Sequence, residues 1–374
     1  MVTITQVTTK KQQKEFINFP LRLYKDNKYF VPPLYSDELL IFSTKSVYFK
    51  TCESVCFLAT RDGKTVGRIQ GIIQKQYNEI HNEKRFRFGR FDSIDDQEVA
   101  DALFKAVEDW GKSQNLDTIC GPLGYSDLDR EGLLIKGFDE LSTFEEQYNY
   151  EYYQHLIEHC GYAKEVDWVE SKLYYPEQRN EMIARVAERS MQLNKLHLAD
   201  YHMSKKAFIT KYRKGIFYCL DECYKKLYGT VPFTKEMEDS IIAQFLMIVN
   251  IRYLVVVCDE NENVVSFGLC FPGIGKAVQK SGGHLTIPTL LRMFKLIKHP
   301  QIIDLGLVAV LPEYQAQGVN AVVLNCMLDM LGKGDVQYCE TNLNLENNAP
   351  VLAQWKYFKE VQHKRRRSYV KKIN

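Results

Sequence analysis

The chain has 374 residues, more than twice the length of an average domain, so we expect two domains. Hydrophobic residues make up 45% and charged residues 26%, which is typical of a globular chain and excludes a disordered one. With 49 Lys and Arg against 47 Asp and Glu, the formal net charge of +2 gives no overall field that would attract a nucleic acid or an anionic membrane. We therefore predict neither partner, and any such contact would need a local patch.

Ten cysteines are scattered along the chain, and its start lacks the apolar run of a signal peptide. Both features predict reduced thiols and a cytoplasmic protein. Residues 241–258 are largely apolar and approach the length of a membrane span, but Gln244, Asn250 and Arg252 interrupt them. We predict a helix followed by a buried strand in this stretch.

In the first half of the chain, the residue pattern predicts a β-hairpin with strands at 56–60 and 65–71. A further strand follows at 86–91. The acidic run 95–98 then has the capping-box spacing of a helix start, with Asp95 as the cap and Glu98 three residues later. A strand within 115–121 completes the series.

The second half repeats this order, with strands at 253–258, 264–271 and 302–310, a helix from about Gly318, and a strand at 336–341. The stretch before the third of these strands reads as polar and basic. The repeated order indicates two copies of one α/β unit with a mixed sheet, arranged as a tandem duplication.

The region between the two copies contains two helical patterns, at 180–196 and 205–227. Pro176 precedes the first of them and is the predicted boundary. The domains are therefore predicted as 1–175 and 176–374.

One segment carries the clearest chemistry: Leu307–Asn320 runs from a strand through a short loop into an apolar helix. Backbone N–H groups at such a helix start lack partners within the helix and lie at the positive end of its dipole. They form a cradle for phosphate, and Gly318 allows the phosphate to approach closely. A cofactor that bears a diphosphate is the expected ligand.

This segment resembles motif A of the GNAT acyltransferases, Val-x-Pro-x-x-(Gln/Arg)-x-x-Gly-x-(Gly/Ala). Val310, Pro312, Gln315 and Gly318 match the motif, and Asn320 departs from it at the last small position. In that family the loop holds the pyrophosphate of coenzyme A. The resemblance therefore implies two GNAT-like domains of α/β class, with acetyl-CoA or coenzyme A as the co-substrate.

The resemblance also implies particular site residues. Backbone N–H groups around Val308 and Val310 would polarise the thioester carbonyl. Residues 348–358 resemble the helix that follows the family's fifth strand. Asn348 matches a cofactor-contacting Asn of that helix, whereas Trp355 stands where the family often has a Tyr that protonates the leaving thiolate. The full set of cofactor-binding residues that the resemblance implies is Val308, Val310, Gln315, Gln317, Gly318, Val319, Asn320 and Asn348.

Two residues are candidates for proton transfer. Glu340, at the end of the strand predicted at 336–341, is the candidate base that accepts the proton of the attacking amine. Tyr357 is the phenol nearest to Trp355, although two residues along a helix turn it to another side. Both are expectations about an active site built on the second copy.

The resemblance extends along the chain to a bacterial family of tandem GNAT-like proteins. It is carried by Phe30–Pro33, Gly121–Pro122, Glu131–Phe138 and His363–Tyr369. It implies direct transfer of an acyl group, with acetyl-CoA as the expected donor, to the amine of a small molecule or peptide. An alternative from another class is a non-catalytic acyl-CoA-binding or interaction module, which Trp355 favours.

The first copy has a different junction between strand and helix. It has no glycine at the position of the cradle, and Asp92, Asp95 and Asp96 would oppose a diphosphate. We therefore predict that 1–175 is a degenerate domain and that each chain binds one coenzyme A, in the second copy.

His155 and His159 lie one helical turn apart with Glu158 between them, which is the spacing of an inverted zinc-protease motif. The same segment places Leu156 on a buried stripe, and Gly161 is typical of a helix C-cap. We favour the structural interpretation and predict no metal.

The basic tail Lys364–Arg367 has three interpretations: contact with RNA, contact with the phosphates of coenzyme A, or an edge strand whose charges prevent aggregation. We favour the edge strand.

Overall fold

The computed structural model describes residues 1–43 and 46–373, and its contacts divide the chain into two units. Unit 1 contains Met1–Val169, Gly275–Thr289 and the chain from Lys364 onward, and unit 2 contains Glu170–Ile274 and Leu290–His363. The sequence prediction treats each domain as continuous, whereas the contacts return two later segments to unit 1. In one of them, the Gln279 side chain donates to two backbone carbonyls near residue 30.

The first part of the chain consists of β1 (Thr3–Gln6), α1 (Lys10–Leu23), α2 (Tyr35–Leu40), β2 (Cys52–Arg61), β3 (Lys64–Gln74), α3 (Lys75–His81), β4 (Arg85–Ser93), α4 (Gln97–Ser113), β5 (Thr118–Gly121), β6 (Leu133–Lys136), α5 (Tyr152–His159) and β7 (Ala163–Tyr174).

The rest of the chain consists of α6 (Glu181–Leu193), β8 (His197–Leu198), α7 (Lys205–Tyr224), α8 (Lys235–Ile248), β9 (Leu254–Cys258), β10 (Val264–Pro272), α9 (Gly275–Gln279), α10 (Ile287–Lys298), β11 (Ile302–Val310), α11 (Val319–Gly332), β12 (Tyr338–Thr341), β13 (Asn344–Leu345), α12 (Ala349–Leu352) and β14 (Lys359–Lys372).

The sheet of unit 1 has the order β1-β2-β3-β4-β5-β14. β4 and β5 run parallel, and the other neighbours are antiparallel, so the sheet is mixed as predicted. The predicted hairpin corresponds to β2 and β3. The predicted apolar positions of α4, Val99, Leu103 and Val107, are fully buried in the core of this unit.

The sheet of unit 2 has the order β7-β12-β11-β10-β9-β8, and here β11 and β12 form the parallel pair. The predicted strand at 302–310 matches β11. Helix α11 is apolar on most of its surface and packs into the core of this unit through residues such as Val323 and Leu328. Both units thus place a parallel strand pair beside the helix that connects the two strands.

Two further predictions concern the region 235–301. The apolar stretch 241–258 divides into α8 and β9 as predicted, and no helix among the described residues is long and apolar enough to cross a membrane. The stretch that reads as polar and basic contains α9 and α10, which the sequence prediction missed.

The prediction of a basic edge strand is wrong. β14 pairs with β5 and β6, and Arg366 is fully buried. Arg365 and Arg367 both donate to Asp167, at 2.9 and 2.8 Å. The tail is therefore part of an ion-pair network around the buried carboxylate of Asp167, because a buried charge needs a charged partner.

Candidate functional site

Strand β11 carries a β-bulge close to the point where it leaves β12. Its register with β10 shifts between Leu269 and Cys270, so that Gly306 is the extra residue. A Cβ atom at Gly306 would lie 2.5 Å from the Cε1 atom of Phe271, so glycine is required here for close packing. The parallel ladder with β12 ends at Leu305.

Beyond the bulge, helix α7 contacts the edge of β11 that β12 has left. The Tyr224 hydroxyl donates to the Val308 carbonyl oxygen at 3.1 Å and accepts from the Val308 N–H at 3.4 Å. The Cys223 thiol donates to the Val310 carbonyl oxygen at 3.2 Å. Burial raises the pKa of Cys223 to about 11, so this thiol keeps its proton at neutral pH.

The loop after β11 is held by side chains from both of its sides. The Gln315 amide donates to the Val310 carbonyl at 3.0 Å, and the Ser190 hydroxyl of α6 donates to the Gln317 carbonyl at 2.9 Å. These bonds hold the loop that leads into α11 through two of its carbonyl groups. Gly318 then takes a φ of 79°, in the left-handed region that favours glycine.

The N-terminus of α11 differs from those of its neighbours in unit 2. Ser204 and Thr234 cap α7 and α8 through their side chains, and Asn180 caps α6. At α11 the N-cap is Gly318, and no side chain of the described residues caps this helix. The first N–H groups of α11 are therefore not used by a side-chain cap, which is the condition that the predicted phosphate cradle requires.

Glu340 lies one residue before the end of the β11–β12 ladder. It is buried, and its Oε1 atom lies 3.2 Å from the Nε2 atom of His363, which is also buried. The parallel register places Asp304 directly beside Glu340. Sequence reasoning selected Glu340 but missed His363 and Asp304, because neither belongs to a local motif.

The residues after β12 do not form the helix predicted at 348–358. Asn348 precedes the short helix α12, and a 3₁₀ turn at Trp355–Tyr357 follows it. Trp355 is fully buried, and its indole N–H donates to the Asn344 side chain at 2.8 Å. Trp355 lies in the core of unit 2, and Tyr357 packs against the same core.

The equivalent junction in unit 1 is occupied by its own side chains. The Asp96 carboxylate accepts from the N–H of Val99 and caps α4, one residue later than the predicted cap. Arg61 donates to Asp96 at 2.6 Å. This hydrogen bond is the main cause that lowers the pKa of Asp96. The Asp96 carboxylate thus occupies N–H groups that a phosphate would use, in addition to the repulsion that the sequence predicts.

The end of β4 is also occupied. The Tyr24 hydroxyl donates to Asp92 at 2.9 Å, the Arg68 guanidinium donates to Asp92 at 2.8 Å, and the Ser93 N–H donates to the Tyr153 hydroxyl at 3.0 Å. All of these side chains are buried. Burial raises the pKa of Asp92, and the charge of Arg68 opposes that shift.

His155 and His159 lie on α5, with ring centroids 5.9 Å apart. Within residues 1–43 and 46–373, no group of three or more His, Cys, Asp or Glu side chains is arranged to hold a metal ion.

No protein-family model matches the chain. Protein YghO of Escherichia coli is 26% identical over 373 residues, which is 97% of this chain and 94% of that protein. A protein named bacterial ceramide synthase, from Caulobacter vibrioides, is 26% identical over 291 residues, which is 76% of this chain and 73% of that protein.

Among solved structures, a tandem GNAT protein from the clavulanic acid biosynthesis pathway superposes with a TM-score of 0.58 at 9% identity, covering 100% of this chain and 98% of that one. A fungal glucosamine N-acetyltransferase region gives a TM-score of 0.58 at 10% identity, over 99% of this chain and 38% of that one. These matches confirm the predicted fold class: the chain has the fold of a tandem GNAT protein.

Proposed function

We propose that unit 2 is an acyl-CoA-dependent N-acyltransferase, with acetyl-CoA as the first donor to test. The observation that carries this proposal is the pairing of two features along one strand and helix: an edge of β11 that β12 has left, and the uncapped start of α11. The α11 N–H groups would bind the coenzyme A diphosphate, with Val319 and Asn320 in the first turn. Gln315 and Gln317 hold the loop in place, and Asn348 is a further proposed contact.

Tyr224 is the residue we place at the thioester. Its hydroxyl accepts from the Val308 N–H at 3.4 Å, and we propose that the thioester carbonyl replaces the hydroxyl at this N–H when the donor binds. A phenol at this point can protonate the thiolate of coenzyme A as it leaves. Tyr224 would thus supply the acid that Trp355 cannot, and Tyr357 remains the second candidate.

The amine must be neutral when it attacks, so a group near the strand ends must take its proton. We assign this role to Glu340 paired with His363, since the pair is buried one residue from the end of the parallel ladder. Burial of the pair keeps water from competing for the proton.

The acceptor is proposed as a small-molecule or peptide amine. One relative is named a ceramide synthase, and a ceramide is an amide of a long-chain amino alcohol. The acceptor panel should therefore include long-chain amino alcohols beside short amines and peptides.

The test is release of free thiol from acetyl-CoA and longer acyl-CoAs in the presence of this panel. We expect release that depends on one class of amine, and one coenzyme A per chain by calorimetry. Binding without release for every amine would favour the non-catalytic acyl-CoA-binding module. Absence of coenzyme A binding would contradict both functions.

A further inference from the structure

Helix α10 has apolar side chains on two opposite sides. Met293 is buried, yet Ile287, Leu291 and Phe294 are 76%, 65% and 60% exposed. The three exposed residues follow a spacing of four and then three positions, so they form one stripe along the helix. Single exposed apolar residues are common, but three bulky ones on one helix face indicate a binding surface.

The charged residues of α10 are all positive. Lys298 lies four residues after Phe294 and continues the stripe, and Lys295 lies four residues after Leu291 at its border. Both lysines are exposed. From Asn263 to Ile303 the sequence contains no Asp or Glu, and its basic residues are Lys276, Lys280, Arg292, Lys295 and Lys298.

We propose that this face of α10 docks on the surface of an anionic lipid bilayer. A helix with a bulky apolar stripe bordered by lysines can place the stripe at the headgroup boundary and its ammonium groups against lipid phosphates. A second copy of the chain is a poorer occupant, because a symmetric contact would bring the same lysines together. An anionic bilayer can bury the apolar stripe and also bind the lysine ammonium groups through its phosphates.

The proposal differs from the sequence prediction of no membrane partner, which followed from the net charge of +2. A balanced total does not exclude a local basic patch. The docking also concerns the surface of a bilayer rather than a span through it, and it does not depend on the acyltransferase proposal.

The experiment is cosedimentation of the full chain with vesicles. We expect binding to equimolar phosphatidylcholine and phosphatidylglycerol and much weaker binding to phosphatidylcholine alone. Added salt should weaken the binding, because it screens the lysines.

Two double variants separate the apolar and charged contributions. Leu291→Asn with Phe294→Asn should weaken binding to the anionic vesicles at least tenfold, by about as much as the buried apolar groups contribute. Lys295→Glu with Lys298→Glu should weaken it more than tenfold, since each lysine near an anionic surface contributes about fivefold.

Matched controls use similar residues elsewhere in unit 2. Leu193→Asn removes an apolar side chain that is 71% exposed on α6, and Lys333→Glu reverses an exposed lysine after α11. Both should bind vesicles as the original chain does. Because all substituted residues are exposed, thermal melting should be unchanged, which verifies folding.

Three results would overturn the proposal: failure of the original chain to sediment with anionic vesicles, equal losses in the control variants, or a dimer in sedimentation velocity that the Leu291 and Phe294 substitutions abolish. The last result would show that the face binds a second copy of the chain.

Discussion

The junctions between strand and helix in the two units start from the same topology and treat the helix N-terminus in opposite ways. In unit 1, Asp96 caps α4 with its own carboxylate and is itself held by Arg61. In unit 2, Gly318 precedes α11 and brings no side chain to its N–H groups. The comparison teaches that the fold alone does not make an anion site. An anion can bind at a helix start only if no side chain of the protein already accepts from the first N–H groups of that helix.

The edges of β4 in unit 1 and β11 in unit 2 can be compared as well. A tyrosine hydroxyl meets a strand N–H in both units, Tyr153 at Ser93 and Tyr224 at Val308. In unit 1, Asp92 and its buried partners fill the space beside that tyrosine. The prediction that coenzyme A binds to unit 2 and not to unit 1 therefore depends mainly on the two helix N-termini.

The largest effect is expected when a carboxylate like that of Asp96 in unit 1 is placed at the start of α11 in unit 2. Gly318→Asp places a carboxylate at the start of α11, where it would occupy the N–H groups and repel the diphosphate. Lost charge-assisted contacts of ~1.5–3 kcal/mol each, with ~1 kcal/mol of repulsion, should weaken acetyl-CoA binding about a thousandfold in calorimetry.

The control is Gly318→Asn, which has the same shape and tolerates a positive φ equally well. It should weaken binding distinctly less than Gly318→Asp. Equal affinities for the two variants would remove the charge argument, and unchanged affinity in both would remove the cradle.

The next effect concerns the stability of unit 1. Asp92→Asn removes the charge that faces buried Arg68, and we expect a loss of about 3 kcal/mol in the free energy of unfolding, measured with urea. The control is Asp109→Asn, which breaks an exposed pair with Lys105 and should change stability by less than about 1 kcal/mol. Coenzyme A affinity should remain unchanged, and a marked loss of affinity would show that unit 1 shares the ligand.

Tyr224→Phe tests the tyrosine hydroxyl at the strand edge of unit 2. Removal of the hydroxyl should lower kcat about a hundredfold, as expected for a lost proton donor, while coenzyme A affinity changes little. Tyr357→Phe is the matched variant. A larger loss of kcat in Tyr357→Phe would move the acid to that residue.

The smallest effect is expected at the cap of unit 1. Asp96→Ala should lower the free energy of unfolding by about 1 kcal/mol at neutral pH. Because the pKa of Asp96 is lowered by folding, its contribution is present above the unfolded value of about 3.9 and is lost as the pH falls through the lower folded value. The original chain and the Asp96→Ala variant should therefore have the same free energy of unfolding in acid. A difference that does not change with pH would contradict the charged cap.

Much of the local structure follows from the sequence alone. The strand at 302–310 and the helix after Gly318 are set by apolar patterns and by a glycine that permits a positive φ, and these are short-range effects. The duplication is also visible, because both halves repeat the same order of patterns. The predicted cofactor residues from Val308 to Asn320 accordingly form one continuous path of strand, loop and helix.

The contacts between these elements and distant parts of the chain depend on the tertiary structure. Tyr224 reaches Val308 from a helix more than eighty residues earlier in the chain, and His363 reaches Glu340 from the last strand. The burial of Arg366 in β14 and the return of α9 to unit 1 likewise depend on distant partners. Periodicity fixes which face of an element is apolar, but the partner of a polar side chain is chosen only when distant segments pack and must satisfy each other's hydrogen bonds.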